Sequence, residues 1–295
     1  MYKKIIPMII IIIIVIIAIM YFKQDNLYEP YKPIENKYRK FTKNIHSLVE
    51  SYDDILCTYV KTSDNELLDF YYVKNPDSDK CIIYFHGNKG NVSMRYDIIK
   101  FLYNYSSVII FDYRSFGKSS GNKENLSSEA LKIDAKAVWF YTINVLKYKP
   151  SSICIYGESL GSSIALALVS EITQELDVEF HPHSLILVSP FYSLSEMIEH
   201  KSNKIGLGYF GKLVGFFMGK DYEPNKLIQL ISHKTKIIIA HSVYDDIIPY
   251  SQGKKLFDII KNIHPNIKFV DLLGTHNKLK LTDNYVYTLA EIFNN

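Results

Sequence analysis

The stretch Ile153-Cys154-Ile155-Tyr156-Gly157-Glu158-Ser159-Leu160-Gly161 constrains this chain more than any other. A β-branched apolar run breaks into Gly-x-Ser-x-Gly and continues as Ser162-Ser163-Ile164-Ala165-Leu166-Ala167-Leu168-Val169. The pattern reads as a buried strand, a sharp turn and a helix of small residues. At such a turn the serine takes a strained backbone conformation and its hydroxyl points out of the sheet. Gly157 and Gly161 are required because side chains there would collide where strand and helix meet. A helix whose first turn is merely capped by serine is the competing reading.

The rest of the body alternates in a way that suits a central strand of this kind. Strands are expected at Cys57–Lys61, Leu67–Val73, Lys80–His86, Ser107–Asp112, Ser152–Tyr156, Ser184–Ser189, Lys236–His241 and Ile267–Leu272. Helices are expected at Ser93–Tyr103, Ser127–Leu146, Leu160–Thr173, Ser251–Ile263 and Asp283–Ile292. Two early strands in hairpin-like succession, followed by strand–helix alternation, imply a mostly parallel eight-stranded sheet with an antiparallel start and helices on both faces.

Reactive groups in such sheets sit at the carboxyl ends of the strands, and three ends carry partners for Ser159. The glycine-rich turn His86-Gly87-Asn88-Lys89-Gly90-Asn91 can aim a backbone N–H, that of Asn88, at the same point as the N–H of Leu160. Two such donors would hold an oxyanion. His86 itself is expected to bond the loop. Past the seventh strand, Asp245 and Asp246 compete to orient an imidazole; Asp245 is preferred, with Asp246 as a loop or surface acid. Of nine histidines only His264 and His276 follow Asp245, and His276, after a strand end and Gly274, is the better placed. The order Ser, Asp, His belongs to this architecture.

The N-terminus is of a different nature. From Ile5 to Phe22 the chain carries no charge and is mostly isoleucine, and as a helix it would span about 27 Å, near the thickness of a hydrocarbon core. It exceeds the apolar region of a cleaved signal peptide, and only Ala18 is small. An uncleaved single-pass anchor over residues 1–23 is expected, followed by a linker over 24–54 and a body over 55–295. Lysines on both flanks give conflicting orientation signals, so the side of the membrane stays open. Sequons begin at Asn91, Asn104 and Asn125. The formal charge of +3 and the lack of a basic stripe interleaved with aromatics exclude a nucleic-acid partner. Cys57, Cys81 and Cys154 form no metal spacing and no disulfide framework.

Taken together, Tyr84-Phe85-His86-Gly87-Asn88 with Gly90-Asn91, Phe111-Asp112-Tyr113-Arg114 with Phe116-Gly117-Lys118-Ser119, Gly157-Glu158-Ser159-Leu160-Gly161, Ser189-Pro190-Phe191 and Asp245 with Ile248-Pro249 resemble the alpha/beta hydrolases. The likeness is most specific to the membrane-anchored serine hydrolases grouped with alpha/beta-hydrolase-domain-containing protein 13. It covers the chain from about residue 55 to its end. The resemblance implies an esterase, lipase or thioesterase that works through an acyl-enzyme. Ser159 would attack, His276 would carry the proton, Asp245 would hold His276, and Asn88 and Leu160 would form the oxyanion hole. No metal or organic cofactor is implied. Three positions depart from the family pattern: Ser115 and Ser242 stand for usual glycines, and Lys278 for an acid often found after the His-Asn pair.

A long insert, about 191–235, is expected to form a small helical cap. Gly211, Gly215 and Gly219 recur every four residues, giving one smooth and one aromatic helix face. A lid over an acyl groove, a surface dipping into a membrane and a plainly packed cap helix all fit that pattern. With a membrane tether, lipid esters or S-acylated proteins are the expected substrates. A catalytically inactive tethered binding protein and a serine peptidase are the alternatives.

Overall fold

The computed structural model describes residues 28–204, 206–218 and 222–294. The expected anchor over 1–23 lies outside them. Among the described residues no helix is long and apolar enough to cross a membrane.

In chain order the elements are β1 (Glu29–Pro30), α1 (Glu35–His46), β2 (Ile55–Lys61), β3 (Leu67–Val73), β4 (Cys81–Phe85), β5 (Lys89–Gly90), α2 (Tyr96–Tyr103), β6 (Ser107–Phe111), α3 (Ser128–Asn144) and β7 (Ile153–Glu158). They continue as α4 (Leu160–Glu175), β8 (Ser184–Val188), α5 (Leu194–Lys204), α6 (Gly208–Met218), α7 (Pro224–Leu227), β9 (Lys236–Ser242), α8 (Tyr250–Ile260), β10 (Ile267–Thr275), β11 (Lys278–Lys280) and α9 (Asp283–Asn294). Nine strands form one sheet in the order β11-β10-β9-β8-β7-β4-β6-β3-β2. The six strands from β10 to β6 in that order run parallel, while β3 pairs antiparallel with both β6 and β2, and β11 antiparallel with β10. The expected eight strands are all present. The ninth, β11, was not expected: β10 continues past Leu272 through Gly274, at φ +82°, and folds back at His276-Asn277.

Strand alternation divides the core in two. Ile83, Phe85, Phe111, Ile155, Leu185 and Ile237 face one side with Trp139 and Ile164; Ile82, Tyr84, Ile110, Cys154, Ile186 and Ile238 face the other. The second side is covered by α1, α2 and α9. The segment expected as a linker is thus corrected: it carries α1, whose Tyr38, Phe41 and Ile45 are buried at helical spacing. In the cap, α5 and α6 pack closely, for a Cβ at Gly211 would stand 2.3 Å from Ser202 and one at Gly215 would stand 2.9 Å from Ser195. The smooth face of α6 is therefore used against α5. Its other face is exposed, with Tyr209 at 92% and Phe216 at 74% of their full accessibility. Gly219 lies outside the described residues.

The chain leaves β4, pairs β6 on one flank, then returns to place β7 on the other. That reversal opens a crevice at the carboxyl ends of β4 and β7, the place where such sheets hold ligands.

Candidate active site

The turn between β7 and α4 has the strain its sequence implies. Ser159 sits at φ 55° and ψ −119°, a conformation that costs an L-residue on the order of 1–3 kcal/mol. Surrounding bonds hold it there: Ser159 N–H donates to the Val188 carbonyl at 2.9 Å and Ser162 N–H to the Ser159 carbonyl at 3.0 Å. The Ser162 hydroxyl lies within bonding distance of the Gly157 and Val188 carbonyls, at 2.8 and 3.0 Å. Both glycines are sterically required. A Cβ at Gly157 would lie 2.5 Å from the Gly161 carbonyl oxygen, and one at Gly161 only 2.1 Å from that of Phe85.

The structure brings Ser159, His276 and Asp245 into one chain of hydrogen bonds. Asp245 Oδ2 lies 2.8 Å from His276 Nδ1, and His276 Nε2 lies 3.0 Å from Ser159 Oγ. A carboxylate only accepts, so Nδ1 donates to Asp245 and Nε2 accepts the serine proton. His264, the other candidate, instead bonds the Ser232 carbonyl at 3.1 Å.

Asp245 is fixed from both oxygens. Its Oδ1 accepts the backbone N–H groups of Ile247 at 3.0 Å and Ile248 at 2.8 Å. Burial would raise its pKa, but hydrogen bonding from His241 and His276 outweighs burial and holds the carboxyl well below the usual carboxylate range. The His241 bond is the weaker of the two, since its Nε2 is 3.5 Å from Asp245 Oδ2 and lies closer, at 3.0 Å, to the Ile248 carbonyl.

Two further holds on the imidazole were not foreseen from sequence. Asp246, expected to be a loop or surface acid, accepts the backbone N–H of His276 at 3.0 Å. Ser242, which departs from the usual glycine, donates to the Gly274 carbonyl at 2.5 Å and so ties the end of β9 to the β10–β11 hairpin that carries His276. Lys278 pairs with Thr275 across the same hairpin.

Leu160 is the first residue of α4, where backbone N–H groups have no partner within the helix. Asn88 follows Gly87, and a Cβ at Gly87 would be 3.5 Å from Ser159 Cβ, so the two loops expected to supply an oxyanion hole flank the serine. His86 bonds the loop as expected, its Nδ1 lying 2.7 Å from the Gly87 carbonyl. Tyr113 donates to the His86 carbonyl at 2.9 Å. Behind it, Asp112 accepts from Tyr38 at 2.7 Å and from Val92 N–H at 2.9 Å. Beneath the turn, the Tyr84 hydroxyl donates to Glu158. Among the described residues no cluster of histidine, cysteine or acidic side chains has the geometry of a metal site.

A serine whose proton can pass to an imidazole backed by an ionised carboxylate, beside the loop of Asn88 and the first turn of α4, is an arrangement suited to acyl transfer. Fold and sequence motifs together define an alpha/beta hydrolase. More narrowly, the chain belongs to the steryl acetyl hydrolase family, whose model matches residues 1–208. It is 50% identical over 294 residues to uncharacterized protein R595 of Acanthamoeba polyphaga mimivirus, covering 100% of this chain and 99% of that one. It is 28% identical over 225 residues to the lysophosphatidylserine lipase ABHD12 of Bos taurus, covering 73% of this chain and 54% of that lipase. Among solved structures, the Pyrococcus furiosus esterase Pf2001 matches with a TM-score of 0.62 at 18% identity, over 81% of this chain and 92% of the esterase. Esterase- and lipase-type relatives make this a hydrolase family.

Proposed function

We propose that the chain is a membrane-anchored serine hydrolase that cleaves carboxylic ester or thioester bonds of lipid-like substrates through an acyl-enzyme. The observation that carries it is the continuous relay Ser159–His276–Asp245. As Ser159 Oγ bonds to the acyl carbon, its proton passes to His276 Nε2, and the negative oxygen faces the N–H groups of Asn88 and Leu160. Collapse breaks the bond to the leaving alcohol or thiol, which takes the proton from His276. Water then repeats the sequence, releases the acid and restores the serine.

Three observations favour a lipid-like substrate. The apolar run ends at Phe22, and the six steps to Tyr28 reach at most about 20 Å, so with the run in a bilayer the body stays close to its surface. Tyr209 and Phe216 lie seven residues apart on the exposed face of α6, as suits an element resting in an interface. The relatives bear names of lipid ester hydrolases, a steryl acetyl hydrolase and a lysophosphatidylserine lipase. The domain division that follows is an anchor over 1–23 and a hydrolase body with its cap at about 191–235.

The test is labelling of the protein in membranes with a fluorophosphonate probe, beside Ser159→Ala. Labelling of the wild type alone supports the reading and directs a screen of lipid esters and acyl thioesters. A folded wild type that stays unlabelled favours a tethered, inactive scaffold.

A further inference from the structure

Among the described residues, the strand within the loop that carries Asn88 is not part of the nine-stranded sheet. Among the described residues this short strand, β5, pairs only with β1, in a separate two-stranded sheet. The pairing is parallel, Glu29 opposite Lys89 and Pro30 opposite Gly90. The Glu29 N–H also donates to Asn88 Oδ1 at 3.1 Å. One residue earlier, Tyr28 is only 3% exposed, and its hydroxyl is 2.9 Å from that of Tyr222 in the cap insert. Tyr222 in turn accepts, through its carbonyl, the Leu194 N–H that opens α5, at 3.0 Å. Two residues after Glu29, the Tyr31 carbonyl accepts from Gly117 N–H at 3.1 Å and from Asn91 Nδ2 at 3.3 Å. The segment therefore crosses the carboxyl ends of the strands as a strap, fastened to the cap, to the loop of Asn88 and to the loop after β6.

We propose that Tyr28 and Glu29 are positioning residues of the hydrolase: the strap they form sets the backbone of the Asn88 loop against Ser159 and couples that loop to the cap. The role rests on the hydrolase reading given above. Its physical basis is preorganisation. An oxyanion donor stabilises the transition state only if it already points at the place where charge develops, and a misplacement of about 1 Å can cost on the order of 100-fold in rate. On its inner side the loop is held by Arg95, whose Nη2 donates to the Lys89 carbonyl at 2.5 Å. On its outer side, the backbone ladder is the strap. Because the strap begins six residues after the apolar run, the chain that leaves the run passes directly into the oxyanion loop's support.

A strap that only staples the fold would change stability, and one that positions the loop would change transition-state binding. The two are separated with the full chain in neutral detergent micelles, using Glu29→Pro, which deletes the N–H donated to Asn88, and Tyr28→Phe, which deletes the hydroxyl facing Tyr222 and keeps the ring. The measurements are kcat and KM on p-nitrophenyl butyrate, inhibition by an aryl boronic acid that forms a tetrahedral adduct on Ser159, and hydrogen exchange of the amides at 87–91. Glu29→Pro is expected to lower kcat about 10- to 100-fold with KM within about twofold, and to weaken the boronate by a similar factor. Exchange at 87–91 should quicken. Tyr28→Phe is expected to lower kcat about threefold to tenfold, and it decides the matter if Glu29→Pro loses its cooperative melt. Wild-type kcat and boronate affinity in folded variants would overturn the strap's role while leaving the hydrolase reading intact. A wild type that neither turns over ester nor takes a fluorophosphonate overturns that reading, and the positioning role falls with it.

Discussion

Replacing Asp245 by asparagine tests the relay at its most constrained point. The side chain is isosteric, but its two ends are no longer alike, and the structure dictates which end goes where. Oδ1 accepts two backbone N–H groups, from Ile247 at 3.0 Å and Ile248 at 2.8 Å. The amide oxygen must take that place, since an NH2 group there would face two donors. The amide nitrogen is then directed at His276 Nδ1, 2.8 Å away in the wild type. It can only donate, so Nδ1 becomes the acceptor and Nε2 carries the proton. In that tautomer Nε2 cannot accept from Ser159 Oγ. The reaction loses its base, and the imidazolium loses its counter-charge. A loss of about 10⁴ in kcat is expected, or about 5.5 kcal/mol of transition-state stabilisation. Because the amide oxygen keeps both backbone bonds, the melting temperature should stay within a few degrees of wild type. The assay is turnover of a p-nitrophenyl ester beside the rate of fluorophosphonate labelling, with Ser159→Ala as the zero. Combining Asp245→Asn with Ser159→Ala should cost no more than Ser159→Ala alone. Retention of wild-type rate within tenfold by a folded Asp245→Asn protein would refute the tautomer argument.

Other perturbations address the frame around the relay. Ser115 holds a left-handed conformation, φ 68°, and a buried hydroxyl without a bonding partner among the described residues; Ser115→Gly should raise stability by about 0.5–1 kcal/mol, seen as a melting temperature about 2 °C higher. Gly161→Ala places a methyl 2.1 Å from the Phe85 carbonyl oxygen, so it should abolish labelling and sharply lower the denaturation midpoint. Burial, reinforced by the charge of Asp112, pushes the Asp69 carboxyl up to about 7. The folded protein therefore keeps a proton there that the unfolded chain gives up above its own pKa of about 4. The stability this group contributes is full below pH 4 and lost as pH rises to about 7, a fall on the order of a few kcal/mol. Asp69→Asn should flatten that part of the stability–pH curve, measured as urea midpoints, and an unchanged slope would refute the assignment.

What could be read from the sequence was whatever lies close together along the chain. The strand, turn and helix around Ser159 are set by spacings of four residues or fewer, and Gly157 and Gly161 advertise the close approach that the structure contains. Asp245 and His276 were legible through their order and their place just past buried strands. The α1 helix was less so, because Pro30, Pro33 and many lysines mimic a linker. The signal that could have revealed it is the spacing of Tyr38, Phe41 and Ile45. The grips on His276 from Asp246 and Ser242 had no local signature, since each joins residues about 30 positions apart. The strap was hidden for the same reason. Two residues paired with two others, 60 positions later, give no periodicity to detect. Ser115 and Ser242, both departures from the family pattern, had opposite outcomes. One keeps the glycine-like backbone at a cost, and the other turns its extra hydroxyl into a tie.

The contact between Tyr28 and Tyr222 spans 194 positions, and that distance has a meaning during synthesis. At the usual pace of about 5–20 residues per second, the second tyrosine leaves the ribosome roughly 10–40 s after the first. In the last part of that interval a nascent chain can own its serine turn but has neither the strap's tie to the cap nor His276. Ribosome-bound and prematurely ended products that lack His276 are therefore expected to be chemically silent, so hydrolytic capacity arrives only once that residue has emerged, long after the apolar run.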